Sequence, residues 1–380
     1  MAQQATRSKA PVELQDKEKI FVASQGQLMW WKFRKHKPAI AGGIIILVFY
    51  LLAAFCEVIA VDDPKNFSRI HTYAPPQRIR FVDQGRFQLR PFVYALEGVR
   101  DPVTTRVTFT FNPERKYPIQ FFARGAPYKL WGLWEADLHL ITIDNYDGEG
   151  TLFLLGTDKM GRDVWSRIMY GARTSMSIGL VGVFMTFAFG ITIGGFSGYY
   201  GGLFDAIVQR VIEFIRSLPS IPLWMALSAS LPDDWQPIRV YFAITIILSI
   251  LNWTGLARVV RSQFLALREE DFVMAAQLAG AGEARIVFRH LVPAFLSHII
   301  ASITVSVPGV ILAETSLSFL GLGIRPPAIS WGVLLQEAQN LRAVATAPWV
   351  MTPGLFVVIV VLSYQFLGDG LRDAADPYAR

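Results

Sequence analysis

Two groups of ionisable residues stand close enough in this sequence to suggest chemistry. Asp158, Arg162 and Asp163, with Lys159 and Arg167 beside them, offer carboxylates at a spacing that would suit acid catalysis or an oxygen-ligand metal site. Ion pairing satisfies the same charges without a metal and is the simpler account. Asp137, His139 and Asp144 form a looser second group whose spacing matches no reaction. A GxS nucleophile elbow, an HExxH helix and a GKS/T phosphate loop are all absent, so the chain has no usual means of hydrolysing ATP itself. His298, Ser302 and Ser306 share one face of a long apolar segment, with Glu314 near its outer end. Polar groups at membrane depth avoid lipid, so these four should face a bundle interior or an aqueous path. For His298 alone, an interhelical hydrogen bond is the simpler expectation than a proton relay.

The elements that must position these residues are membrane spans. Of 380 residues, 52% are hydrophobic and only 17% charged, and the mean hydropathy is +0.36. That composition excludes an ordinary water-soluble enzyme. Cys56 is the one cysteine, which rules out an intrachain disulfide framework and any Cys-rich metal site. Pro38 to Cys56, Thr174 to Phe204, Val240 to Ala257, Leu291 to Ala313 and Ala343 to Gly368 carry no Asp, Glu, Lys or Arg. Each has about the 17 to 25 residues a helix needs to cross a bilayer. A sixth candidate, Ser217 to Leu231, is short but extends backwards along a helix containing Arg210, Glu213 and Arg216. Six spans are therefore expected.

Flanking charge orients them. Lys32, Arg34, Lys35 and Lys37 precede the first span, and Asp62 and Asp63 follow it, which puts the N-terminus inside and, after six crossings, the C-terminus too. The loop 258–290, with Arg258, Arg261, Arg268, Arg285 and Arg289, then also falls inside. The net charge of +6 is thus accounted for largely by cytoplasmic flanks, and no nucleic-acid partner is implied. The expected division is a cytoplasmic tail 1–37, a first transmembrane helix 38–61, an outside insert and pre-helix segment 62–172, a five-helix core 173–370 and a cytoplasmic tail 371–380. With about thirty-seven residues before it, the first apolar run reads as an uncut anchor. In the insert, the runs Arg78 to Val82, Thr105 to Phe111, Ile119 to Phe122 and Leu138 to Ile143 alternate or are rich in β-branched and aromatic residues, and prolines separate them. A small β-rich unit is expected there.

The inside loop REEDFVMAAQLAGAGEARIVFRHLVP, Arg268 to Pro293, is the most informative stretch. Asp271 can cap a short helix whose positive end Glu269, Glu270 and Asp271 complement. Ala275 and Ala276 are small enough to let another protein approach the backbone. Gly280 and Gly282 end that helix and turn the chain. Two Ala, a Gly four residues after the second and a Pro thirteen beyond that Gly resemble the EAA loop of binding-protein-dependent ABC importer permeases, matched by Ala275, Ala276, Gly280 and Pro293. Met274 stands where that motif has its glutamate, and Val292 where Leu is usual.

Three further stretches resemble the C-type permease of the dipeptide, oligopeptide and nickel importers. LGTDKMGRDVWSRIMYGART spans Leu155 to Thr174 and contains Gly156, Thr157, Asp158, Gly161, Arg162 and Asp163; ETSLSFLGLGIRPPAISWGVLL spans Glu314 to Leu335. PGLFVVIVVLSYQFLGDGLRDAADP spans Pro353 to Pro377 and contains Gly368, Asp369, Arg372 and Asp373. The resemblance implies an all-α integral membrane protein of the bacterial inner membrane, with six transmembrane helices of the type I ABC importer permease fold and a β-rich periplasmic insert after the first. It implies no catalytic residue, metal or cofactor in this chain. The implied partners are a second homologous permease, two ATPase subunits that bind ATP and Mg, a periplasmic solute-binding protein, and membrane lipid. The family accepts peptides, which are the expected substrate, and also nickel chelates, oligosaccharides and opines. A membrane-anchored periplasmic enzyme using Asp137, His139 and Asp144 is the alternative from another class, and a proton-coupled transporter using His298 and Glu314 is a third.

Overall fold

A computed structural model describes residues 25–375 except 84, 101, 103–106, 146–147 and 233, and the side chains at 25, 100 and 297. Residues 1–24 of the expected N-terminal tail and 376–380 of the C-terminal tail lie outside the described residues. Helices α1 (Gln25–Phe33) and α2 (Lys37–Ala54) lead through a single turn, α3 (Cys56–Ile59), into strands β1 (Arg80–Asp83), β2 (Arg86–Arg100), β3 (Val107–Leu130) and β4 (Trp134–Ile143). Then come α4 (Val164–Tyr200), α5 (Gly202–Ser217), α6 (Ser220–Ala229), α7 (Pro237–Leu267), α8 (Asp271–Leu278), α9 (Leu296–Phe319), α10 (Trp331–Leu335), α11 (Leu341–Thr346) and α12 (Thr352–Ala375).

Five helices among the described residues are long and apolar enough to cross a membrane, where six were expected. They correspond to the five charge-free stretches. The sixth candidate is instead the ten-residue helix α6, about 15 Å long. Its physical cause is Pro219: Leu218 ends α5 in an extended conformation (ψ 135°), and Pro219 (ψ 122°) caps α6. Pro308, by contrast, lies inside α9, and the helix runs through it without a break. Helix α4 begins at Val164, ten residues before its charge-free run, because its first cations fold back onto partners. Arg173 grips both carboxylate oxygens of Glu57 at 2.6 Å, and Arg167 reaches the Pro64 carbonyl at 3.2 Å.

Helix α4 packs along α7 through Gly190, Gly194 and Gly198. A Cβ on Gly194 would stand 2.4 Å from the Ala257 carbonyl oxygen and one on Gly198 2.7 Å from that of Arg261, so these glycines let two backbones touch. One main core joins α2, α4, α7, α9, α10 and α12 around Trp331, Ile168, Met176 and Leu248. A second gathers Phe264, Val273, Val287, Leu291 and Phe295 beneath α8.

The strands form one antiparallel meander, β1-β2-β3-β4. Two of the expected strands merge into β3, and β2 is a strand that the prolines concealed; Thr105 and Arg106 of one expected run lie outside the described residues. Pro91, Pro113 and Pro127 do not separate strands. Each sits in a register shift, between Arg80/Val82 and their partners, between Tyr94/Ala95 and their partners, and between Arg124 and Tyr128. A bulge is one place inside a sheet where a residue without an N–H breaks no ladder bond.

The two ends of the helical bundle are distinguishable. Tyr200, at the end of α4, donates its hydroxyl to Glu283, and Gln277 bonds Tyr199, so this end of α4 shares a face with the loop 268–290. Tyr241, near the start of α7, donates at 3.1 Å to Ser177 in the first half of α4, well away from the Tyr200 end. The start of α7 therefore lies toward the opposite, insert-bearing face.

Candidate coupling loop and translocation path

The loop face presents α8. Its N-cap is Glu270, not the expected Asp271: Glu270 has the extended ψ of 147°, while Asp271 takes the first helical position, where its carboxylate still faces the positive helix end. At the other end the Gly280 N–H bonds the Gln277 carbonyl and the Ala281 N–H bonds that of Ala276 at 3.0 Å, a Schellman close with Gly280 at φ +77°. Gly282, in the extended region, caps the next turn, Glu283–Arg285. A π-turn, Ile286–Leu291, and the short Val292–Ala294 helix carrying Pro293 then lead to α9.

Only one side of α8 is anchored. Val273 is fully buried on Val287 and Ile286, and Ala276 is half-buried beside it. Met274, Ala275 and Leu278 face out, and Leu278 is 90% exposed. Sequence spacing pointed to the alanines, whereas the most prominent apolar group on the loop face is Leu278. Its neighbour Phe272 is exposed as well. What could have found Leu278 is its place four residues after Met274, on the same helix face.

The polar residues of α9 divide into two sets. His298 is exposed near its loop-face end; Ser302 and Ser306 are half-buried farther along, and the Ser306 hydroxyl donates to its own helix at the Ile303 carbonyl. Glu314 is 0% exposed. It accepts from Ser318 at 2.8 Å and from Ser175 of α4 at 3.3 Å, and Ser175 in turn accepts the Trp331 N–H at 3.1 Å. Glu314 thus faces the bundle interior in a closed knot of α4, α9 and α10. Sixteen residues along one helix separate it from His298, about 24 Å, so the two do not form a proton-relay pair.

The Asp158 group is a structural knot. One carboxylate oxygen accepts the Met160 and Arg162 N–H groups at 2.8 and 3.0 Å, and the other accepts Arg162 Nε at 2.7 Å. Arg167 lies 3.5 Å away. Thr157 holds Ala74 through its hydroxyl, and its carbonyl accepts from the Trp349 indole at 2.9 Å. A Cβ on Gly161 would fall 1.9 Å from the Ser68 carbonyl oxygen, and one on Gly156 2.7 Å from that of Ala74. Asp163 caps α4 by accepting the Ser166 N–H at 2.7 Å. Burial pushes its carboxyl up to about 7, with Asp62 nearby adding to the rise and the Ser166 bonds opposing it. The motif therefore ties the start of the insert, the start of α4 and the 337–349 segment together.

At the far end of the chain, Gly368 is buried where a Cβ would meet Val305 of α9 at 2.5 Å. Asp369, Arg372 and Asp373 are exposed, with Asp373 3.9 Å from His36. In the insert, His139 is buried with its two ring nitrogens 2.7 and 2.8 Å from the carbonyls of Ala60 and Ala126. Asp137 pairs instead with Arg124 at the surface, so no catalytic pair forms.

Residues 190–380 match the family described as the inner membrane component of binding-protein-dependent transport systems. Residues 24–76 match the N-terminal TM domain of oligopeptide transport permease C. The dipeptide transport system permease protein DppC of Alkalihalophilus pseudofirmus is 40% identical over 223 residues, 58% of this chain and 71% of that protein. A putative peptide permease of Brucella suis is 38% identical over 255 residues, 66% and 82% of the two chains. The oligopeptide transport system permease protein OppC of Bacillus subtilis is 36% identical over 226 residues, 59% and 72%. With half the chain matched by one family and its N-terminal helices by another of the same transport systems, this chain belongs to the inner membrane components of binding-protein-dependent transport systems.

Proposed function

We propose that this chain is one of two permease subunits of an ATP-driven importer of the type I fold, and that its substrate is peptide. The relatives' names, dipeptide and oligopeptide permease, support the substrate class. The second permease is a homologue, two separate ATPase subunits bind ATP and Mg, and a periplasmic solute-binding protein delivers the cargo. None of the covalent chemistry lies in this chain.

The observation that carries the coupling role is α8, buried on one side through Val273 and bare on the other through Met274, Ala275 and Leu278. An apolar face of this kind suits a groove on the ATPase. Closure of the ATPase dimer on ATP would then push α8, and the cluster of Val273, Val287 and Phe264 would pass the motion to α7 and α9.

The chain crosses the membrane six times in this reading. Because α4 ends on the loop face and α7 starts toward the insert face, residues 201–236 must traverse, and the broken pair α5 and α6 carries them. Together these helices rise about 39 Å, enough for a crossing. The loop face is then cytoplasmic, with both termini, and the insert is periplasmic. Single cysteines at Thr110 and Leu278, tested in cells with a membrane-impermeant thiol reagent, check this. Thr110 should label and Leu278 should be protected until the membrane is opened; the reverse pattern overturns the orientation.

A further inference from the structure

The tip of the β3–β4 hairpin has the wrong composition for a turn in water. Leu130, Trp131, Gly132, Leu133 and Trp134 form it, with Leu130 paired to Trp134. Trp131 is 48%, Leu133 71% and Trp134 57% exposed. Hairpin turns favour Asn, Asp and Gly. Trp131 moreover sits at φ +52°, a left-handed conformation that is unfavourable for a non-glycine residue.

What holds Trp131 there is the end of the first long helix. Its backbone N–H donates to Glu57 at 3.1 Å, and its indole N–H donates to the carbonyl of Ala54, the last residue of α2, at 2.6 Å. Its ring lies 6.0 Å from that of Phe55 and 5.8 Å from that of Trp134. Below Phe55, α2 exposes Ile44, Leu47, Val48 and Leu51 along one side, while Ile46, Phe49 and Ala53 on the other pack into the bundle. The apolar surface therefore runs without interruption from the outward flank of α2 onto the hairpin tip.

Depth decides the occupant. An 18-residue α2 rises about 27 Å, close to the hydrocarbon thickness of a bilayer, so Ala54 stands at its edge. Trp is the side chain enriched at that level, where one part of the ring is in acyl chains and the N–H reaches a polar group. At the base of the tip, Lys129 and Glu135 approach to 3.7 Å, both exposed, at the height where headgroups would begin.

We propose that the Trp131–Leu133–Trp134 tip is a membrane-interface anchor, inserted among the lipids of the outer leaflet beside α2. The insert then has two footings: the lipid boundary at Trp131, and the His139 link to Ala60. This rests on the reading of α2 as a crossing and of the insert as periplasmic.

The test uses the assembled transporter in nanodiscs of phosphatidylethanolamine and phosphatidylglycerol, with a nitroxide on a single added cysteine; buried Cys56 is retained and the unmodified chain controls for its labelling. Oxygen, which partitions into lipid, and a water-soluble nickel chelate are the relaxing agents. At Leu133→Cys, oxygen should relax the label several-fold more than nickel, as at Leu51→Cys on the α2 flank, while Glu114→Cys on β3 should show the opposite ratio. Nickel dominance at Leu133, or an immobile label shielded from both agents by a protein neighbour, overturns the anchor. If Leu51 itself reads as aqueous, the crossing fails rather than the anchor alone. Should Leu133→Cys fail to assemble, Trp134→Cys gives the same reading from the adjacent exposed position.

Discussion

Arg261 of α7 grips both carboxylate oxygens of Asp205 in α5, and the hydroxyl of Ser197 in α4 donates to the same carboxylate at 2.5 Å. Three helices thus meet on one acidic side chain at the loop-face end. The pair is mostly shielded from water, and removing one member leaves the other without its counter-charge. Asp205→Ala and Arg261→Ala should each destabilise the purified chain by about 1–3 kcal/mol. The double variant should lose much less than the sum, a coupling read from the cycle of melting temperatures. Additive losses would mean that the two residues act separately.

The loop face yields a second expectation. Leu278→Asp puts a charge on the bare side of α8 without touching Val273, so transport should fall at least tenfold while the chain still inserts and its ATPase partners still hydrolyse ATP. Ala276→Trp and Gly280→Trp should uncouple transport too, but Gly280 at φ +77° resists any side chain, which makes Leu278 the cleaner site. Uptake and ATPase activity measured side by side check this, and normal uptake in all three removes α8 from the coupling route.

Close approach of α4 and α7 leads to a third. Gly194→Val would drive a branched side chain against the Ala257 backbone, and overpacking of this kind costs about 1–3 kcal/mol or more. The yield of detergent-stable protein should drop sharply. Gly309→Ala is the control, since a Cβ there meets nothing within 4 Å. Equal loss in both would point to a general intolerance of glycine replacement.

The five long helices were legible because charge-free runs of bilayer length leave little alternative, and the Schellman close at Gly280 because only glycine takes that φ cheaply. The broken crossing at Pro219 was half legible: the short candidate Ser217 to Leu231 with its charged extension was visible, but not that Pro219 would split it into two helices each too short to count alone. Strand β2 was hidden because Pro91 reads as a strand breaker until a bulge is known to hold it. Trp131 was invisible for a different reason. Its partner Ala54 lies 77 residues away, and no local pattern encodes such a contact. Leu278 was on the page, but burial of Val273 is what fixes which side of α8 is free.

Asp163 supplies a pH dependence. Its carboxyl rises from 3.8 to about 7 on folding, so between those values the folded chain holds a proton that the unfolded chain has released. Stability should therefore fall as pH rises from about 4 to 7, not as it drops. One carboxylate oxygen accepts from Ser166, while the other has no hydrogen-bond partner among the described residues, which is the atom that suffers on ionisation. Asp163→Asn keeps an acceptor for the cap and removes the charge. Melting curves across this range should slope downward with pH in the natural chain and be flatter in the variant; parallel slopes would assign the effect to another group.

The insert is the last test, and the structure fixes where to cut. Removing residues 66–149 would take out Ser68 and Ala74, which bond Met160 and Thr157, and so would unravel the Asp158 knot. Gln77 and Phe153, however, bond each other twice, at 2.7 and 2.8 Å, and close the base of the insert like a clasp. Replacing residues 79–150 with a short Gly/Ser linker leaves that clasp and the knot intact. The cost falls on α3 and its C-terminal cap, which lose Trp131 from Glu57 and His139 from Ala60. ATPase assembly, proposed for the opposite face, should be unchanged. Uptake driven by the loaded solute-binding protein should fall several-fold if that protein docks on the insert face as proposed, where the insert mixes aromatic with charged groups as interfaces do. Affinity for the loaded binding protein and uptake rate, measured on the same reconstituted transporter, separate the possibilities. If neither changes, the insert only covers its own helices; if both fall while assembly holds, it is part of the docking surface.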